Sequence, residues 1–288
     1  MLRENIENVK VIGEVKRCDY SKILRLEDGR LAKIISPFII MMYIRAGASL
    51  ERKIMDADSI VGMDELYKPT SALYSCNSFV GYTMMENKGI DFNSHDERLT
   101  LMERADLYRY ANIHSQLENI VRKGHRQEKK IVFPDIATCD NIYIDENDRI
   151  SLIDYDGLQV GDNITVSYST NLGPDYKYEV AKYKSKNLYT EELDKTSLMI
   201  LYFLDAFNVD LKAVGQRDPN SGKVITLKDV FEIMGFPDDK LIKKVEKVLS
   251  KTEEGEFLGD DLFRLAEQYR MSVYPLGSGY YVKRLIHK

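Results

Sequence analysis

The 288-residue sequence is most informative first for what it has little of. Its three cysteines, Cys18, Cys76 and Cys139, are widely spaced, odd in number and in no CxxC pair. That speaks against a disulfide framework or a structural zinc site and fits a reducing cytosol. Charge of one sign is not in excess either, with 41 basic against 46 acidic residues and a net charge of −5. The chain therefore has no electrostatic footprint for nucleic acid or an anionic lipid surface. The longest apolar runs, Phe38 to Ile44 and Leu198 to Leu204, fall well short of the ~20 residues a membrane helix needs. Both are expected as buried helices. The stretch MLRENIENVK has no apolar signal core, so a cytoplasmic protein is expected. No internal repeat or low-complexity linker is visible. The four histidines, His95, His114, His125 and His287, are scattered, which argues against a histidine metal centre.

What is present describes an ordinary globular chain. Hydrophobic residues make up 44% and charged ones 30%, enough to bury one large core or two moderate ones. From Val9 to Ile35 the pattern alternates as strands do, with LEDG at Leu26 to Gly29 as a tight turn. Pro37 opens a short helix. SLERKIMDADSIV predicts another, with Ser49 as N-cap, Glu51 in the first turn and Leu50, Ile54, Ala57 and Val61 on one face. PTSALYS and FVGYTMMENKG read as two further strands. The text then turns helical. Leu101, Ala105, Tyr108, Ile113, Leu117 and Ile120 recur near a 3.6-residue period, and further helices are expected over about 191–207, 240–250 and 260–270.

Between these halves lies CDNIYIDENDRISLIDYDG. Ile142 to Ile144 and Ile150 to Ile153 are short strand patterns, and Asp145 to Asp148 form a turn cluster. Folding the hairpin returns Asp154 to the end where Asn141 stands. An amide oxygen and a carboxylate then face a common point, a hard-oxygen pair that suits Mg²⁺.

A strand-rich first part, a helical second part and an N-x12-D hairpin after the first long helix together resemble the protein kinase-like family over nearly the whole chain. The resemblance implies an α+β, bilobal fold: a small antiparallel-sheet N-lobe with one main helix over residues 1–86, and a larger, mainly helical C-lobe over 87–288. RLAKII resembles the V-A-I-K strand, which makes Lys33 the phosphate-binding lysine and Glu51 its helix partner. GYTMMENKG resembles the strand and hinge, with Met85 as gatekeeper and the Glu86 to Lys88 backbone at the adenine edge. IVFPDIATCDN resembles the H-R-D-x-x-x-x-N loop, with Asp135 as the base. LIDYDG resembles I-D-F-G, with Asn141 and Asp154 as ligands for Mg²⁺ or Mn²⁺. LGPDY at Leu172 to Tyr176 resembles A-P-E, and Asp194 is expected as a buried organiser of the catalytic loop.

The sequence also departs from that pattern. Of the glycine-rich phosphate loop only Gly13 remains, with Lys16, Cys18 and Ser21 near the other glycine positions; Lys16 or Arg17 is expected to compensate by charge. Asp135 precedes Asn141 by six positions instead of five, with Asp140 an alternative base, and one extra acid, Asp156, stands before Gly157. Pro134 fills the arginine position, so no switch is expected from phosphorylation at Thr165, Ser167, Ser169 or Thr170. The resemblance implies an ATP-dependent serine/threonine protein kinase acting on a protein hydroxyl. The alternatives are a pseudokinase serving as a nucleotide-binding or protein-interaction module, and a small-molecule kinase of the aminoglycoside or choline type.

Overall fold

The computed structural model describes residues 1–18, 20–92, 107–136, 141–165, 184–185, 188–207, 214–215, 217–218, 221–233, 239–253 and 259–273. The fold is α+β. Six strands, β1 (Leu2–Asn5), β2 (Val11–Cys18), β3 (Ser21–Leu26), β4 (Arg30–Ile35), β5 (Pro69–Ser75) and β6 (Ser78–Met85), form one sheet in the order β1-β5-β6-β4-β3-β2. Turn chemistry explains the hairpins. Gly29 adopts φ 83° after β3, and Cys76 and Asn77 both take positive φ between β5 and β6, the geometry of a two-residue turn that follows strand twist. The expectation of an antiparallel sheet needs a correction at its edge. β1 pairs with β5 in parallel, Leu2 opposite Ser71, because its short run continues the edge that β5 leaves open.

Strand alternation divides this sheet into two unequal faces. On one, Leu26, Ala32 and Leu73 make a small cluster covered by Ile6, Val9 and Val80. On the other, Leu31, Ile35, Tyr82 and Met84 join the principal core with Tyr43, Leu50 and Ile54. Two helices lie between β4 and β5, α1 (Pro37–Arg45) and α2 (Leu50–Met55). Ser36 and Ser49 cap them, accepting from the N–H groups of Phe38 and Arg52. α1 is the run Phe38 to Ile44, but the expectation that it is buried does not hold. Only Tyr43 is buried, its hydroxyl meeting Lys53 of α2 and the Asp156 carbonyl, while Phe38, Met41 and Ile44 are exposed.

The later part is mainly helical: α3 (Leu107–His125), α4 (Glu191–Phe207), α5 (Leu227–Ile233), α6 (Asp239–Glu253) and α7 (Gly259–Val273). α4 packs against α3 and α7, burying Leu198, Leu201 and Tyr202 against Ile113, Leu117 and Phe263. The short strands are β7 (Ile90–Asp91), β8 (Ile131–Val132), β9 (Ile142–Ile144), β10 (Ile150–Leu152), β11 (Gln159–Val160), β12 (Lys184–Ser185) and β13 (Leu188–Tyr189). β10, β9 and β7 form a three-stranded sheet, and β11 pairs with β8. Leu152 also exchanges backbone hydrogen bonds with Glu65 and Tyr67, at 2.8 Å each. The β9–β10 hairpin is thereby fixed to the chain just before β5. One continuous core runs from Leu31 to Ala266. Among the described residues no helix is long and apolar enough to cross a membrane.

Candidate functional site

The hairpin forms as its sequence implies. Ile142 lies opposite Leu152 and Ile144 opposite Ile150. The Asp145 carboxylate accepts from the N–H groups of Asn147 and Arg149, closing the turn. At the open end the Ile153 N–H donates to the Asn141 carbonyl at 3.0 Å, which brings Asn141 and Asp154 side by side in the chain fold. Both line a cavity of about 20 Å³, together with Phe133, Asp135, Gly157 and Leu158. Its size admits about one water-sized body.

Asp154 itself has φ 65° and ψ 53°, the left-handed region. A non-glycine residue is held there at a cost of about 1–3 kcal/mol, a kind of strain that gathers at functional sites. The next residues make a tight 3₁₀ turn, Tyr155–Gly157. Gly157 leaves room for the Asp154 carboxylate. A Cβ on it would stand 2.8 Å from Asp154 Oδ2 and 3.5 Å from Asp135 Oδ2. Asp135 thus sits across Gly157 from Asp154, and burial, reinforced by the charges of Asp154 and Asp156, raises its carboxyl to about 7.

Lys33 comes from β4 on the face that looks toward these acids. Its Nζ donates to Asp154 and, at 2.7 Å, to Asp156. Burial alone would lower its pKa, but Asp154 and then Asp156 overcome this and hold it well above the ordinary lysine range. The two acids separate in consequence. Burial and the neighbouring Asp156 raise Asp154, whereas Asp156, although buried, is lowered by Lys33 and by a hydrogen bond from Tyr82.

A second buried cation, Lys53 of α2, was not foreseen. Its Nζ donates to the Asp156 carbonyl at 2.6 Å and to Tyr43 Oη at 2.9 Å. Burial lowers it to about 7 against the pull of Asp156 and Asp154. The sequence did carry a signal. Leu50, Lys53, Ile54 and Ala57 follow i, i+3, i+4, i+7 spacing, which puts this lysine in the apolar stripe.

Glu51 is corrected by the same helical geometry. Two residues from Lys53, it lies on the opposite side of α2 and accepts from Tyr74 Oη at 2.6 Å and from Arg3 at 3.4 Å. It does not pair with Lys33. Met85 is corrected by strand alternation: Lys33 faces Tyr82 and Leu31 faces Met84 across the β4–β6 ladder, so Met84 shares the Lys33 face at 6% exposure while Met85 points the other way at 57%. At the end of β6, Glu86 pairs with Arg25, Asn87 donates to Ser151 Oγ at 2.6 Å, and Lys88 is exposed. Gly13 is not the glycine of a phosphate-hugging turn. It stands in the middle of β2, between two register shifts, with nothing within 4 Å of a built Cβ. Arg17 is engaged by Glu14 at 2.8 Å.

Asp194 is placed as expected. Fully buried at the start of α4, it accepts from the Phe133 N–H at 2.8 Å and meets His125 Nε2 at 2.8 Å. It therefore anchors the backbone two residues before Asp135. Thr165 is buried near Tyr43 and the Asp156 carbonyl. Asp140, Ser167, Ser169, Thr170 and the LGPDY segment lie outside the described residues. Among the described residues no group of three or more His, Cys, Asp or Glu side chains is arranged to hold a metal. A metal here would instead take the Asn141 carboxamide with the Asp154 carboxylate, hard oxygen donors of two residues that line the same cavity, a donor set that fits Mg²⁺. No protein-family model matches this chain, and no curated protein matches it.

Proposed function

We propose that this protein is an ATP- and Mg²⁺-dependent phosphotransferase with a bilobal, protein kinase-like fold, transferring the γ-phosphate to a protein hydroxyl. One observation carries the reading. Lys33 from the sheet, Asp135 from the segment anchored by Asp194, and Asn141 and Asp154 from the two ends of one hairpin converge on a single buried locus. These four residues, from separate stretches of sequence, are of the kinds that phosphoryl transfer needs.

Lys33 supplies a fixed cation for phosphate oxygens. Asn141 and Asp154 would hold a dication, which when bound neutralises phosphate charge. Asp135, with a carboxyl near 7, is suited to take a proton at neutral pH. As the acceptor oxygen bonds to the γ-phosphorus and the bond to the ADP oxygen breaks, the hydroxyl proton passes to Asp135. Cys18 and Cys76 are free thiols, which supports placing this activity in the cytoplasm.

The test is transfer of labelled γ-phosphate to the protein itself or to a generic protein substrate, abolished by Asp154→Ala. Absence of turnover with Mg²⁺ and with Mn²⁺ would overturn it. One observation favours the pseudokinase reading: β2 lacks a glycine turn and is exposed along its length. A melting temperature raised by Mg-ATP without any turnover would establish that alternative, since a ligand that binds only the folded state stabilises it.

A further inference from the structure

A lysine that must present its ammonium to phosphate needs a carboxylate partner that stays put when substrate arrives. Two acids contact Lys33, and they are not equivalent. Asp154 is the one the phosphotransferase reading assigns to the metal, so it cannot also keep the lysine oriented. Glu51, which the family resemblance would supply, is occupied by Tyr74 and Arg3 on the far side of α2.

Asp156 remains, and the fold holds it from every side. Its Oδ1 accepts from Lys33 at 2.7 Å and from Tyr82 Oη at 2.6 Å, and Tyr82 is the residue directly opposite Lys33 across the β4–β6 ladder. Its main-chain carbonyl receives Lys53 at 2.6 Å and Tyr43 Oη at 2.8 Å. Residues of α1, α2, β4 and β6 thus all converge on this one residue. The face of α2 turned to the site carries a cation, Lys53, where a carboxylate would otherwise stand. The charges have exchanged places: the helix brings the lysine and the segment after Asp154 brings the acid.

We infer that Asp156 is the positioning residue for Lys33, replacing the helix glutamate. The inference rests on the phosphotransferase reading. It gives a role to the extra acid in the D-Y-D-G segment and explains why α2 has no acid facing the site.

The test uses the full chain and an acyl-phosphate derivative of ATP. The Lys33 amine attacks the acyl carbonyl of the bound probe, forming an amide and releasing ATP, and the modified peptide is counted by mass spectrometry. Loss of one charge-assisted contact corresponds to about a tenfold change. Asp156→Asn is expected to slow Lys33 labelling about tenfold and to raise KM for ATP by a similar factor, leaving KM for the protein acceptor unchanged. Tyr82→Phe, which removes one hydrogen bond to Asp156, should move both readouts the same way by about threefold. It decides the matter if Asp156→Asn fails to fold. Glu51→Gln should change neither. Wild-type labelling rates in both Asp156→Asn and Tyr82→Phe, or an equal loss in Glu51→Gln, would overturn the inference while leaving phosphotransfer intact. A wild-type chain that is not labelled at all would instead defeat the phosphotransferase reading and this inference with it.

Discussion

Asp194 offers the sharpest test of how the site is built, because two opposing effects act on it and their sizes differ. The side chain has no solvent exposure, and burial raises its carboxyl from 3.8 to about 6 despite the hydrogen bond and charge of His125. The folded protein thus keeps a proton on Asp194 up to about pH 6, whereas the unfolded chain releases it near pH 4. Over that interval the folded state binds the extra proton, so its stability declines as pH rises from about 4 to about 6 and levels off above. The displacement amounts to about 3 kcal/mol.

Two substitutions separate the parts. Asp194→Asn keeps an acceptor for the Phe133 N–H and removes the buried charge, so its net cost at pH 7 should be within about 1 kcal/mol. Asp194→Ala leaves that buried N–H without its acceptor, removes the contact to His125 Nε2 and opens a cavity, for a cost of about 3–5 kcal/mol. In urea melts of both chains, wild-type stability minus that of Asp194→Asn should fall by about 3 kcal/mol between pH 4 and pH 7. Subtraction removes other groups that titrate in this range, Asp135 among them. A flat difference, or one that rises with pH, would show that the hydrogen bonds outweigh burial and refute the reasoning.

Other positions carry single expectations. Gly81→Ala would put a Cβ 2.0 Å from the Lys33 carbonyl oxygen on a backbone with φ 156°; a loss of about 3 kcal/mol is expected in denaturant melts, and a neutral result would refute the register. Tyr155→Phe removes a fully buried hydroxyl that has no hydrogen-bond partner among the described residues, and should raise stability by about 1 kcal/mol. Gly157→Ala meets a carboxylate oxygen at 2.8 Å, so phosphate transfer should drop about tenfold or more while the melting temperature moves by only about 3 °C. Asp135→Asn should lower turnover by about 10²–10⁴ and leave the Mg-ATP shift in melting temperature in place.

Much of this arrangement was legible because it depends on short-range rules. The β9–β10 hairpin follows from a period-2 pattern around an Asp-rich turn, and it alone brings Asn141 to Asp154. The helix start at Pro37, the cap Ser49 and the apolar run of α4 are equally local. The Met85 and Glu51 expectations fail for one cause: each depends on which way a side chain points in an element whose phase the sequence does not fix. A one-residue error in strand phase exchanged Met84 for Met85. The four residues between Arg45 and Leu50 permit more than one rotation of α2, so the acid in its first turn and the lysine embedded among Leu50, Ile54 and Ala57 cannot be told apart by position alone. The parallel edge strand β1 is four residues long and finds its partner nearly seventy residues away, a pairing no local pattern announces.

The charge content of the buried locus is itself an argument for function. Three carboxylates, Asp135, Asp154 and Asp156, and two amines, Lys33 and Lys53, are gathered beneath one face of the sheet. Removing such groups from water costs several kcal/mol each, and their mutual attraction returns only part of it. A domain selected for stability alone would fill this space with apolar side chains, as the same sheet does on its other face with Leu26, Ala32 and Leu73. Instead the chain adds left-handed backbone at Asp154 and a glycine at 157 that leaves room between two acids. The fold is destabilised at this one place in several independent ways, and they meet at Asp154, which lines the small cavity and is held by the Lys33 ammonium. With Asp154 and Asp156 ionised beside Lys33, and with Asp135 and Lys53 both near 7 and so offsetting each other at neutral pH, the locus carries about one more negative than positive charge, a balance that favours a cation entering beside Asn141 and Asp154.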